Sequence, residues 1–219
     1  MYAMLCTRPD LALAISMTNR YQSNPGMAHW TAVKNILKYL RRTKDLFLVY
    51  GGVDEELTVK GYVDASLGSD LDDSKSQTGY VFMLNGGAIS WRSGKQLVVA
   101  QSTMESEYIA ACEASNEVLW LKKFVIELGA FPSCTDPVGI FSDNTGVIAN
   151  AKEPRTHSTS KHILRKFHVT RDYVRVGHRR IHKIHTDLNA VDPMTKPLPR
   201  SKFEEHRETI GVRYMPGVK

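Results

Sequence analysis

Apolar positions along this chain repeat with two periods, and the periods divide it into elements. Residues 10–22 and 28–42 carry helical spacing; in the second, Trp30, Val33, Ile36, Leu37 and Leu40 recur at three- and four-residue steps. Ser23-Asn24-Pro25-Gly26 separates the two as a turn. Lys34, Lys38, Arg41 and Arg42 lie on or near the other face, where solvation and nucleic-acid contact both remain open. Gly51-Gly52 ends this piece and predicts a boundary between a helical unit, 1–52, and a second unit, 53–219.

The second unit begins with a period of two. Leu57, Val59, Gly61 and Val63 alternate with Thr58, Lys60, Tyr62 and Asp64, as a strand requires. Tyr80–Leu84 and Ala88–Trp91 flank Asn85-Gly86-Gly87, a hairpin signal because Asn and Gly tolerate positive φ. Leu97–Ala100 is a candidate extension of the third strand. Residues 103–128 predict a long helix with Thr103 as N-cap and Gly129 as its stop. Its expected core is Ile109, Cys112, Leu119, Trp120, Phe124 and Leu128. Val138–Ser142 reads as a short buried strand, 144–151 and 158–176 as helices, and Arg180–His185 as a strand. A last helix over 188–195 is stopped by Pro197 and Pro199. Tight connections make the first three strands antiparallel, and the long helix is a crossover to a parallel strand. The expected fold is α/β: a mixed five-stranded sheet with helices on its faces, plus an N-terminal helical appendage.

Composition removes several classes. Apolar residues make up 42% and charged residues 24% of 219, which excludes a collagen, a coiled coil and a fully disordered chain. No apolar run is long enough to span a membrane, and the first residues do not read as a signal peptide. Cys6, Cys112 and Cys134 are too few and too scattered for a disulfide framework and fit a reducing compartment. The net charge of +6 is unevenly spread. Residues 1–50 carry 7 basic against 2 acidic residues, 51–150 carry 6 against 14, and 151–219 carry 16 against 7. An unevenly solvated surface would give this pattern. So would a polyanion binder whose acidic middle holds a cation.

Four acids stand where an acid is awkward for folding. Asp64 closes a strand, Asp143 ends Val138–Ser142, Glu107 lies in the first turns of the long helix, and Asp192 lies in the short last helix. Carboxylates that converge repel unless they bind a proton or a cation. Oxygen ligands suit Mg²⁺ or Mn²⁺. Glu105 and Glu107 point about 200° apart on a helix, so only one enters such a site directly. Glu107 shares its stripe with Ala110, Ala111 and Ala114, which let the helix lie close to a sheet. Glu107 is therefore favoured, with Glu105 read as a first-turn carboxylate at the positive end of the helix.

At this point the residues become recognisable as a set. Thr7-Arg8-Pro9-Asp10, Ser23-Asn24-Pro25-Gly26, His29-Trp30 and Ala32-Val33-Lys34 resemble the region after the polymerase palm in copia-type LTR-retrotransposon Pol polyproteins. Gly61–Ala65, Ser76–Tyr80, Gly87–Trp91, Ser102–Tyr108, Ser142-Asp143-Asn144, Lys161-His162-Ile163, Phe167-His168 and Asp192–Pro197 resemble that family's ribonuclease H domain. The resemblance is colinear over nearly the whole chain. It implies a ribonuclease H-like fold and hydrolysis of the RNA strand of RNA–DNA hybrids during reverse transcription. Asp64, Glu107, Asp143 and Asp192 would be both catalytic residues and metal ligands. Two Mg²⁺ or Mn²⁺ ions, on the order of 4 Å apart, would activate water and stabilise the leaving oxygen. The partners implied are the hybrid, recognised through backbone and 2′-hydroxyls, and the rest of the polyprotein, with no membrane. The implied location is intracellular: cytoplasmic, in a virus-like particle, or nuclear. Residues 1–52 would be a remnant of the polymerase thumb or connection, making the chain a C-terminal fragment.

The chain departs from the family in places. Val191 replaces the usual Ala, Pro193 stands where a helix former is common, and Ser160–Leu164 lacks one acid. The polymerase Tyr-x-Asp-Asp motif is absent, so polymerisation is not expected. These departures leave open an inactive remnant that binds nucleic acid, or a structural part of a larger reverse transcriptase with an exposed apolar face on residues 1–50. Seven of eight histidines lie between 157 and 206. Phosphate contact and capping explain them better than a zinc site, and His182 and His185 are candidates for a role before the last acid. No Gly-x-Ser-x-Gly elbow supports a serine hydrolase. The order Asp, Glu, Asp disfavours an integrase.

Overall fold

The computed structural model describes residues 1–51, 57–129, 137–152 and 179–215. The expected helix at 158–176, with His162 and His168, the boundary at 52–53, and Cys134 lie outside them.

In chain order the elements are α1 (Tyr2–Cys6), α2 (Ala12–Asn19), α3 (Met27–Arg42), β1 (Leu46–Leu48), β2 (Lys60–Ser66), β3 (Gln77–Leu84) and β4 (Gly87–Lys95). There follow α4 (Thr103–Leu128), β5 (Val138–Ser142), α5 (Thr145–Lys152), β6 (Arg179–Lys183), α6 (Arg200–Thr209) and β7 (Val212–Tyr214). The main sheet has the order β4-β3-β2-β5-β6. β2, β3 and β4 are antiparallel neighbours, whereas β5 runs parallel to β2 and to β6. This is the expected mixed five-stranded sheet. The β3–β4 turn puts Asn85 at φ 50° and Gly86 at φ 76°, the paired positive values that suit a two-residue hairpin.

α4 covers one face of the sheet. Ala110, Ala114, Val118 and Leu121 pack against Val63, Ala65, Tyr80, Phe82, Val138 and Ile140. The alanines keep the helix axis close to the strands, and the larger residues fill the widening gap further along. Trp120, Phe124 and Leu128, expected in the core, are exposed instead. They share the opposite stripe at four-residue steps, where Trp120 and Phe124 stack with centroids 5.4 Å apart. The N-cap is Ser102, one residue before the expected Thr103; its hydroxyl accepts from the Glu105 amide at 3.2 Å.

The other face is covered by both ends of the chain. Ala12, Leu46, Val81, Ala88, Ala190, Val191, Met194, Ile210 and Val212 form one buried cluster. β1 pairs antiparallel with β7, and the Trp91 indole donates to the Met4 carbonyl at 2.9 Å. The described residues on either side of the expected boundary therefore share a core. A buried Arg8–Asp10 ion pair of 2.7 Å, with the Tyr39 hydroxyl on Asp10 at 2.6 Å, ties α3 to the start of the chain. α3 has no buried residue, and Trp30 and Leu37 face outward with Tyr2, Leu5 and Met27. No helix among the described residues is long and apolar enough to cross a membrane.

Candidate metal centre

Asp64 sits inside β2 and not at its end, because the strand runs on to Ser66. Its partner across the ladder is Gly79 of β3. Glu107 lies in the second turn of α4, on the side that meets the sheet, and is 4% exposed. Asp143 follows directly on β5, the parallel neighbour of β2. Three features hold that turn: the Ser142 hydroxyl accepts from the Asn144 amide at 3.2 Å, and the Asn144 side chain accepts from Gly146 at 2.8 Å and Val147 at 3.3 Å. The last two contacts cap α5. One carboxylate oxygen each from Asp64, Glu107 and Asp143 all lie within 4.8 Å of one another.

Asp192 lies outside that trio but beside it. The expected helix over 188–195 is two 3₁₀ turns, Thr186–Leu188 and Asp192–Met194. The backbone leaves helical values at Asn189 (φ −76°, ψ 99°), which separates the two turns, and Pro193 falls in the opening positions of the second, where its missing amide is tolerated. The segment is pinned to the sheet at three points. Asn189 donates to the Val63 carbonyl at 3.3 Å, Ser93 donates to the Met194 carbonyl at 2.6 Å, and the Thr195 hydroxyl donates to Asp64 Oδ2. Gly79 makes this approach possible: a Cβ there would stand 2.6 Å from Thr195 Cγ2 and 3.1 Å from Val191 Cγ2. Lys196 closes the arrangement, with Nζ 2.9 Å from Asp192 Oδ2 and 4.0 Å from Asp64 Oδ2. Reading the sequence did not single out Thr195, Lys196 or Gly79 as site residues. The i,i+4 spacing of Asp192 and Lys196 was the available signal for that pair.

The electrostatics follow from burial. Loss of water pushes the Glu107 carboxyl up to about 10, with the neighbouring Asp64 charge adding to the effect. Burial raises Asp64, partly offset by the Thr195 hydroxyl and the Lys196 charge. Asp192 is pushed up to about 6, again chiefly by burial, against the pull of Lys196. Glu107 Oε2 and Asp192 Oδ1 are enclosed without a hydrogen-bond partner. Buried oxygens left unpaired are costly. A hard divalent cation would satisfy such oxygens, and the all-oxygen donor set fits one. Glu105 does not enter the centre; its carboxylate accepts from the Gln101 amide at 2.9 Å, beyond the helix start. His185 accepts from the Asp187 amide at 3.3 Å and caps a 3₁₀ turn, and His182 stacks on Phe141 with centroids 5.3 Å apart.

Three antiparallel strands continued by two parallel ones, with acids on the central strand, on the crossover helix and after the fourth strand, define a ribonuclease H-like fold. No protein-family model matches the chain. The retrovirus-related Pol polyprotein of transposon TNT 1-94 from Nicotiana tabacum is 45% identical over 97% of the chain, which spans 16% of that protein. That of transposon RE2 from Arabidopsis thaliana is 36% identical over 96% of the chain, which spans 14% of it. Secreted RxLR effector protein 161 of Plasmopara viticola is 44% identical over 55% of the chain and 84% of its own length. Among solved structures, a foamy viral protease-reverse transcriptase in complex with RNA/DNA hybrid matches at TM-score 0.52 and 13% identity, covering 91% of this chain and 25% of that one. An LC11-RNase H1 in complex with RNA/DNA hybrid matches at TM-score 0.47 and 14% identity, over 63% of this chain and 94% of that one. The chain belongs to the retrovirus-related Pol polyproteins of copia-type transposons. It spans about one-sixth of the length of the polyproteins it matches.

Proposed function

We propose that this chain is a metal-dependent ribonuclease H that hydrolyses the RNA strand of RNA–DNA hybrids as part of a retrotransposon Pol polyprotein. The observation that carries this reading is the meeting of Asp64, Glu107 and Asp143 within 4.8 Å, at positions far apart in sequence, on a fold of this class. Asp64, Glu107 and Asp143 would hold a Mg²⁺ or Mn²⁺ ion, and Asp192 would contribute to a second. Such ions supply an activated water and stabilise the oxygen that leaves the phosphate.

The chain's own groups do the positioning. Asp64 is carried on the central strand of the sheet, paired across the ladder with Gly79 of β3 and two residues beyond the last pair with β5, so its backbone cannot shift without breaking the β2–β3 ladder. Thr195 fixes the orientation of its carboxylate. The Asn144 cap fixes the direction in which Asp143 leaves β5. The basic first 50 residues and the basic last 69 would track phosphates of the hybrid, while the acidic middle holds the ions. The hybrid and the remainder of the polyprotein are the partners this reading assigns, and a virus-like particle or the nucleus is the location.

The test is hydrolysis of an RNA-labelled hybrid in Mg²⁺. Cleavage that disappears in Asp64→Asn supports the reading, and cleavage equal in both proteins refutes it. A second reading, a hybrid-binding protein without turnover, is favoured by one feature: Asp192 stands apart from the trio and is engaged by Lys196. It predicts salt-sensitive binding of the hybrid with no cleavage at any Mg²⁺ concentration.

A further inference from the structure

We propose that Lys196 is a built-in cation standing between Asp64 and Asp192, so that the free protein takes up a single divalent ion at Asp64, Glu107 and Asp143. This deepens the reading above and rests on its assignment of the acids to metal.

The acids divide into two groups by their partners. Asp64, Glu107 and Asp143 present oxygens to one another within 4.8 Å. Asp192 is absent from that set and instead receives the Lys196 ammonium at 2.9 Å. The same ammonium stands 4.0 Å from Asp64 Oδ2. It therefore stands beside both aspartates, the pair that would hold a second divalent ion. Both carboxylates are almost fully enclosed, whereas the lysine stem is partly open to solvent. The ammonium is the group that can leave, and the aspartates are the groups that stay.

Charge favours the same division. A divalent ion at Asp64, Glu107 and Asp143 displaces the proton that Glu107 keeps in the metal-free centre. With all four carboxylates then ionised, that ion and the ammonium leave one negative charge, and a second divalent ion reverses the sign of the centre. A second ion thus meets the ammonium beside Asp64 and Asp192 for as long as the lysine stays there, and like charges at such distances repel strongly where water is excluded. The backbone holds the lysine in place: its amide donates to the Asp192 carbonyl at 3.2 Å, and Pro197 follows it. Only the flexible four-carbon stem is free to swing outward. A hybrid phosphate would supply the negative charge that draws the ammonium away and admits the second ion.

The experiment is Mn²⁺ binding to the metal-free chain without nucleic acid, followed by calorimetry and by electron paramagnetic resonance of the free ion. Wild type is expected to bind one ion, and Lys196→Met is expected to bind two, the second at least tenfold tighter than any second site in wild type. Lys196→Arg retains the charge and is expected to bind one, which separates loss of charge from disturbance of the turn. Asp192→Asn is expected to bind one ion with affinity within about threefold of wild type. Two ions in wild type, or an unchanged isotherm in Lys196→Met, overturns the role of the lysine and leaves the nuclease reading standing. No binding in wild type that Asp64→Asn abolishes overturns both.

Discussion

Replacing Glu107 by Gln should make the metal-free protein more stable while removing its chemistry. An ordinary Glu titrates at 4.5, and burial beside Asp64 pushes Glu107 up to about 10. The folded state therefore keeps a proton that the unfolded state has already lost between these values. Folded stability falls as pH rises through that window, by about 1.4 kcal/mol for each pH unit. At pH 7.5, some three units above the starting value, Glu107 alone would cost about 4 kcal/mol. Sharing of protons with Asp64 reduces this to about 2–4 kcal/mol. A glutamine keeps the shape and carries no charge, so the variant recovers that amount. In a chain of this size the gain corresponds to a rise in Tm on the order of 10 °C. The assay is thermal unfolding in EDTA at pH 7.5 and again at pH 5, where the difference should shrink to below about 1 kcal/mol. A variant no more stable than wild type at pH 7.5, or a gain that persists at pH 5, would refute the reasoning.

Other expectations follow from the same geometry. Mg²⁺ should raise the Tm of wild type more at pH 8 than at pH 5.5, because it binds the deprotonated carboxylates; equal shifts in a pair of thermal melts would contradict this. Gly79→Ala should lower stability by about 1–3 kcal/mol through its clash with Thr195 and Val191. It should also reduce hybrid cleavage at temperatures where the variant is still folded, since it moves the hydroxyl that orients Asp64; activity that tracks only the folded fraction would contradict that link. Ser102→Ala should cost about 1 kcal/mol in chemical denaturation by removing the cap of α4, and a loss below a few tenths would show that Glu105 suffices there.

The parts of the fold with local periodicity were legible in the sequence. β5 spans Val138–Ser142 as expected, and the Asn85-Gly86 turn joins β3 and β4. Glu107 was separable from Glu105 because a helix can present only one of them to the sheet. The structure puts Glu107 beside Asp64 and Glu105 at the helix start. What was not legible depends on distant partners. β1 and β7 are three residues each and exist only because Leu46–Leu48 meets Val212–Tyr214 across most of the chain. Of the residues expected in the core from α4, Ile109 and Cys112 are buried, whereas Trp120, Phe124 and Leu128 are exposed and the alanines face the sheet; size is a poor guide to direction there. Leu97, expected on a strand, is 82% exposed beyond the end of β4. Thr195 and Lys196 gained their significance only when the segment carrying them was seen lying over Gly79.

The most direct test of the account is a crystal structure of the Mn²⁺-loaded protein with the ion located by its anomalous scattering. A peak is expected at roughly 2–2.3 Å from oxygens of Asp64, Glu107 and Asp143 together. An ion bound elsewhere, or one of these three carboxylates turned away from it, would contradict the claim that they form one centre.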